Sequence, residues 1–208
     1  MRVFGDATLH HNKAKGKIMQ IIKAKLIGTR PLLMHSDKLA DPLNPLTKEH
    51  KALTKKSSKN KTDDDHELIA KSEWKAGMYW DEDMGPYMPG VNIEGALISG
   101  GKLRRLGANL KRAVEVMDDR YKLEYEGPRD LAGLWDAGYY DARSVKVTTS
   151  RIIRYRPLFR NWVLTCEIAF DETAIDRAEV VRCLEDAGAY CGLGDYRPKF
   201  GRFTVEVV

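Results

Sequence analysis

Apolar and polar side chains alternate from Ile18 to Ile27, with Ile18, Gln20, Ile22, Ala24 and Leu26 on one face and Met19, Ile21, Lys23 and Lys25 on the other. Period two over such a run predicts a β-strand whose second face is partly wet. Trp162 to Phe170 repeats the pattern most clearly: Leu164, Cys166, Ile168 and Phe170 face one way, Thr165 and Glu167 the other. Phe203, Val205 and Val207 alternate with Thr204 and Glu206 as a closing strand, and Val145 and Val147 alternate with Lys146 and Thr148 as a shorter one. Two stretches change to helical spacing. Ile93, Leu97, Gly101 and Arg104 recur along one, continued by Leu103, Leu106 and Leu110, with a bend expected at Gly107. Ile175, Ala178, Val181, Leu184 and Ala187 form the other, stopped by Gly188.

The resulting order is strand, helix, strand, strand, helix, strand. It predicts an α+β fold of ferredoxin-like type, βαββαβ, with a four-stranded antiparallel sheet and two helices on one face. RNA-recognition (RRM-like) modules share this layout, and so do many enzymes, so the fold alone does not give the function. A chain of 208 residues suffices for one domain. Its core is expected at about 18–34, 86–117 and 143–208, with insertions at about 35–85 and 118–142. In the first insertion Pro42 and Pro45 break regular structure, and Lys48 to Lys61 holds six lysines, so 38–62 is expected to be a mobile loop. Thr62 or a following aspartate is expected to cap a short helix running through Leu68 and Ile69 toward Trp74. Asn92 is expected to cap the first core helix, with Glu94 in its first turn. Gly100-Gly101 weakens that helix, so close packing or a close ligand must compensate. Residues 1–17, polar and carrying His10-His11, read as a short leading hairpin or a loose arm.

Charge sharpens the picture through its distribution. The net +5 from 35 basic and 30 acidic residues is modest. Yet Leu97 to Arg112 holds five basic residues and no acid, and Arg143 to Arg160 holds six, again without an acid. Segregation of this kind gives one face a strong positive field. Cys166, Cys183 and Cys191 have no paired spacing and read as reduced thilos of a cytoplasmic protein. The chain shows no signal-peptide pattern and no apolar run of the ~18 residues a membrane span needs.

Two glycine-bearing segments stand out: Pro86-Tyr87-Met88-Pro89-Gly90-Val91-Asn92-Ile93-Glu94-Gly95, and Gly192-Leu193-Gly194 through Phe200-Gly201-Arg202-Phe203. Both resemble the repeat-associated mysterious protein (RAMP) superfamily of CRISPR-associated proteins, in its backbone-subunit (Cas7-like) branch. There a Pro-x-x-Pro-Gly-Ser-Ser-Leu-Lys-Gly segment starts the first helix and a glycine-rich loop precedes the last strand. Pro86, Pro89, Gly90 and Gly95 match; Val91 and Asn92 replace the serines and Glu94 the lysine, which removes a phosphate contact. The resemblance implies a subunit that repeats along single-stranded RNA, or single-stranded DNA, either in a ribonucleoprotein or as a stand-alone or phage-borne relative. It also implies a metal-assisted aspartate after the first strand, for which Asp37 is the positional match.

Read from the residues, three basic groups are candidate nucleic-acid contacts. Lys102, Arg104 and Arg105 follow the first helix, and Lys102 and Arg105 share a face. Arg151, Arg154 and Arg156 surround Ile152-Ile153, with Tyr155 placed to stack on a base; the plainer account is an edge strand guarded by charge. Arg197, Lys199 and Arg202 surround the closing loop, where Gly192, Gly194 and Gly201 offer backbone N–H groups and Tyr196 a second ring. Asp195 is expected to pair with Arg197 or Arg202. No nucleotide-triphosphate loop pattern is present. Catalysis has thin support: His35, Ser36 and Asp37 are adjacent, which is poor geometry for a relay, while Asp37 and Asp41 are oxygen donors suited to Mg²⁺. The leading expectation is a non-catalytic binder of single-stranded nucleic acid acting as a repeated subunit or homo-oligomer, with no membrane and no cofactor. A metal-assisted endoribonuclease using Asp37 and His35, and a phage structural or assembly protein, are the alternatives.

Overall fold

The computed structural model describes residues 19–148 and 150–208, so the leading segment 1–17 and Ile18 lie outside the described residues. In chain order the elements begin with β1 (Met19–Gly28), β2 (Leu32–Leu33), a 3-10 turn at Asp37–Ala40, α1 (Pro45–Thr54) and α2 (Asp63–Gly77). Then come β3 (Trp80–Asp81), β4 (Gly85–Pro89), α3 (Gly90–Leu103), α4 (Gly107–Ala113), β5 (Val114–Val116) and β6 (Arg120–Lys122). The chain continues with α5 (Leu131–Asp136), β7 (Tyr140–Val147), β8 (Ser150–Phe159), β9 (Val163–Asp171), α6 (Arg177–Asp186), a π-turn at Ala187–Cys191 and β10 (Phe203–Val207).

The fold is α+β with antiparallel sheets. The largest sheet has the order β10-β1-β9-β5, and every pair in it is antiparallel. Helix α3 lies between β1 and β5 in the chain, and α6 between β9 and β10. The alternation read from sequence decides the faces. Ile22, Ala24 and Leu26 of β1 and Leu164, Cys166, Ile168 and Phe170 of β9 are buried in one cluster with Ile93 and Leu97 of α3 and Val180, Cys183 and Leu184 of α6. Gly100 lets α3 approach α6 closely, since a Cβ there would run into the Cys183 carbonyl, and Gly101 does the same against Leu110. Close packing is therefore what compensates these glycines. The opposite face carries Lys23, Lys25, Thr165, Glu167, Thr204 and Glu206 by register, with Lys23 and Glu167 paired at 3.6 Å.

Four local expectations are corrected. The strand beside β9 is Val114–Val116, and Val145–Val147 instead belongs to the long β7–β8 hairpin, which pairs with β2 in a separate sheet. Residues 38–62 are not one loop: Asn44 caps α1 by accepting from Leu46 N–H at 3.0 Å, and Pro45 sits at the first position, where its missing N–H costs nothing. Asn92 does not cap α3; the cap position is Pro89, without a side-chain bond, and Glu94 lies beyond the first turn. The chain does not stop at Gly188, which is needed for close approach to the Phe203 carbonyl; it continues through the π-turn and ends at Gly192, in the left-handed region.

The capping expectation at Thr62 holds: its hydroxyl accepts from Asp65 N–H, and the Asp65 carboxylate accepts from Thr62 N–H at 2.8 Å. Helix α2 then packs on β8, and Trp74 Nε1 donates to the Tyr139 carbonyl at 2.9 Å. Among the described residues no helix is long and apolar enough to cross a membrane.

Candidate nucleic-acid groove

The start of α3 forms one wall of a cleft. Pro89 fixes the approach of the chain to the helix, and Gly90 is required because a Cβ there would strike the Asp118 carbonyl. No side chain caps this end and no acid lies in its first turn, so the helix N-terminus keeps its partial positive charge. Tyr79 forms the second wall. Its hydroxyl donates to the His35 carbonyl at 3.3 Å and accepts from Asn92 Nδ2 at 3.4 Å, and burial pushes its pKa up. The cleft encloses about 280 Å³ and is closed by Gly194, Asp195 and Arg197. A shallower depression of about 490 Å³ shares Ser99, Gly194, Asp195 and Arg197 with it and extends past Tyr190 and Tyr196, so the two form one groove. Val91, Gly95 and Ser99 succeed each other at helical spacing along its floor, and Lys102 follows one turn further on.

The closing loop is held by its own backbone. Gly192, Gly194 and Gly201 all have positive φ. A Cβ at Gly192 would lie 2.6 Å from the Phe200 carbonyl oxygen, and one at Gly194 2.5 Å from that of Leu33. The N–H of Gly192 donates to Ala187 and that of Gly201 to Pro31, so these two groups serve the fold rather than a ligand. Two arginines of the hairpin brace the loop. Arg156 lies 3.1 Å from Asp195, and Arg143, held by Asp141 at 3.0 Å, stacks on Tyr196 and Phe200 with its guanidinium 4.8 and 4.9 Å from their ring centres. Asp195 thus pairs with Arg156 and not with Arg197 or Arg202. Its charge is offset from the hairpin side, leaving Arg197 exposed on the groove with Lys199 beside it, while Arg202 Nε donates to the Pro198 carbonyl at 3.0 Å. Tyr190 and Tyr196 remain 63% and 45% exposed.

The sequence candidates divide accordingly. His35, Gly194 and Arg197 line the cleft, and Gly192, Lys199 and Arg202 belong to the loop that closes it. Lys102 and Arg105 are exposed beyond the far end of the groove, with Arg105 itself in the left-handed region; Arg104 is drawn to Asp186 of α6 at 2.5 Å. On the hairpin Arg151 is exposed, donating to Ser144 Oγ at 3.3 Å. Arg154 is held by Glu73 at 2.5 Å, and Tyr155 packs against Trp135 and Tyr140. These two are placed in internal contacts instead of toward the groove. Asp37 and Asp41 are exposed, and the Asp41 carboxylate accepts from Leu43 N–H at 2.8 Å. Among the described residues no three His, Cys, Asp or Glu side chains gather as a metal site. Cys166 and Cys183 are buried, their thiols pushed up to about 12 and about 11.

Tyr79, Ser99 and Tyr190 line the groove without having been picked out from sequence. Ser99 follows from the spacing Val91, Gly95, Ser99; Tyr79 has no local signal, because a long-range contact brings it there. Compared with protein-family models and with curated proteins, the chain matches none.

Proposed function

We propose that this chain binds single-stranded nucleic acid, RNA foremost, without cutting it, and that the strand runs through the groove between α3 and the closing loop. The observation that carries this reading is the convergence of the two glycine-bearing segments and the loop after β2 on one groove, with Arg197 exposed on it and Tyr190 and Tyr196 at its outer rim. Arginine offers phosphate a planar fork, and exposed tyrosines stack on bases of any sequence. Lys199, two residues beyond Arg197, and Lys102, one turn beyond Ser99, are exposed and add positive charge.

The core reads as ferredoxin-like, supported by the sheet order β10-β1-β9-β5 and the β1–α3–β5 and β9–α6–β10 connections. Binding on the sheet surface, as in RNA-recognition modules, finds no support: the outer face carries charged side chains with Met19, Ile21 and Ile27 among them and, among the described residues of its strands, no aromatic ring. The resemblance to backbone subunits of the RAMP superfamily agrees with a groove at the helix side. Repetition along a strand, and a cytoplasmic location in keeping with three free thiols, belong to the same reading.

The test is binding of single-stranded RNA, single-stranded DNA and duplex DNA at two salt concentrations. Affinity for single strands that falls steeply with salt supports the groove, because phosphate contacts release counterions; indifference to every oligonucleotide at low salt overturns it. Metal-assisted RNA cleavage through Asp37 is a second reading, favoured by one observation: His35, two residues away, lines the cleft.

A further inference from the structure

A depression of about 820 Å³ lies apart from the groove, between α1, α2 and the β7–β8 hairpin. One wall is aromatic: Trp135 and Tyr140 stack at 4.7 Å between ring centres, and Tyr155 tilts toward both at 6.0 and 5.8 Å. Ile152 and Ile153 continue that wall. On the other side His50 Nδ1 lies 2.7 Å from Ser72 Oγ, and Ser72 gives its own proton to the Ile69 carbonyl at 2.9 Å. With the Ser72 proton on the Ile69 carbonyl, Ser72 accepts from His50 Nδ1–H, and in that tautomer Nε2 of the neutral ring is an acceptor. Burial lowers the pKa of this imidazole, in keeping with the neutral form. Glu73, 8% exposed, is satisfied by Arg154 and by Tyr155 N–H, so it brings no unpaired charge to the cleft. Lys61, Asp63 and Glu67 also line the cleft, so its charged lining is of mixed sign.

We infer that this cleft takes an unpaired, amino-bearing nucleobase (adenine, cytosine or guanine), stacked along the Tyr140–Tyr155 wall with its amino group donating to His50. A flat, neutral ring with a donor edge fits an aromatic wall and a fixed acceptor, and cavities of this size hold a nucleoside. The inference rests on the nucleic-acid reading but concerns a site whose occupancy does not require the groove.

The experiment titrates the isotope-labelled full chain with adenosine, cytidine, guanosine and purine riboside, followed by nuclear magnetic resonance. The expected result is saturable shifts at the Trp135 indole and the Tyr140 and Tyr155 amides for at least one amino-bearing nucleoside, at least fivefold tighter for adenosine than for purine riboside if adenosine is the one bound. Tyr140→Ala weakens it about tenfold; Tyr140→Phe retains it, and His50→Ala weakens it with the Trp74 and Trp162 signals unchanged, which guards against loss of fold. Arg197→Glu, which breaks strand binding in the groove, leaves it intact. Absence of shifts with every nucleoside at millimolar concentration, or shifts confined to Tyr196 and Arg197, overturns the inference without touching the groove.

Discussion

Arg156 Nε of β8 lies 3.1 Å from Asp195 Oδ2, so the hairpin holds the loop that closes the groove. The arginine side chain is 16% exposed and the aspartate 31%, a partly dry pair whose loss strands one charge. Arg156→Ala is expected to cost about 1–3 kcal/mol in urea unfolding, below the value for a fully buried pair. It also loosens RNA binding, because Asp195 is then left as an unbalanced negative charge beside Arg197. Unchanged stability and unchanged binding would show that the brace is idle.

Arg197 and Arg104 make opposite predictions although both were candidates from sequence. Arg197 is exposed on the groove, and Arg197→Ala should weaken single-strand binding about tenfold and reduce the salt slope by about one. Arg104 is tied to Asp186, and Arg104→Ala should leave RNA affinity within about twofold. Fluorescence anisotropy of labelled RNA at two salt concentrations measures both.

The closing-loop glycines are required by backbone geometry. Gly194→Ala forces a side chain into φ +80 and toward the Leu33 carbonyl oxygen 2.5 Å away, and should cost about 2–4 kcal/mol. Gly138 has a similar φ of +73 but no atom within 4 Å, so Gly138→Ala should cost only about 1 kcal/mol. Thermal unfolding of the two variants separates crowding from conformational strain.

At the start of α2, Lys56 first and then the Thr62 backbone hold the Asp65 carboxyl down to about 2 from its ordinary 3.8. A carboxylate with a depressed pKa stabilises the fold fully above about pH 4, and that contribution is lost as pH falls toward 2. Wild-type stability should therefore drop more steeply across this window than that of Asp65→Asn, read by circular dichroism. Parallel curves would remove Asp65 from the capping role.

Wild type and Asp37→Ala should leave single-stranded RNA equally intact with Mg²⁺ on a gel. Cleavage by wild type that disappears in the variant would replace the non-catalytic reading with the endonuclease one.

Much of the scaffold was legible because its signals are local. The alternation in β1, β9 and β10 and the Thr62 cap are set by neighbours in sequence, and the structure reproduces them. Short β5 escaped notice: three residues, Val114–Val116, carry too little alternation to be seen, and pairing with Ile168–Phe170 is what makes them a strand. Helix α1 was hidden by its lysines, although Asn44-Pro45 is a helix-start signal. The basic residues were the least legible. Arg104, Arg154 and Arg156 looked free in a sequence without nearby acids, but Asp186, Glu73 and Asp195 reach them from distant segments.

The path of the strand is tested most directly by photocrosslinking RNA that carries 4-thiouridine and mapping the modified residues by mass spectrometry. The account predicts crosslinks at Tyr190 and Tyr196, lost when Arg197 is changed to Glu. Crosslinks concentrated on the sheet face around Lys23, Lys25 and Thr165 would contradict it.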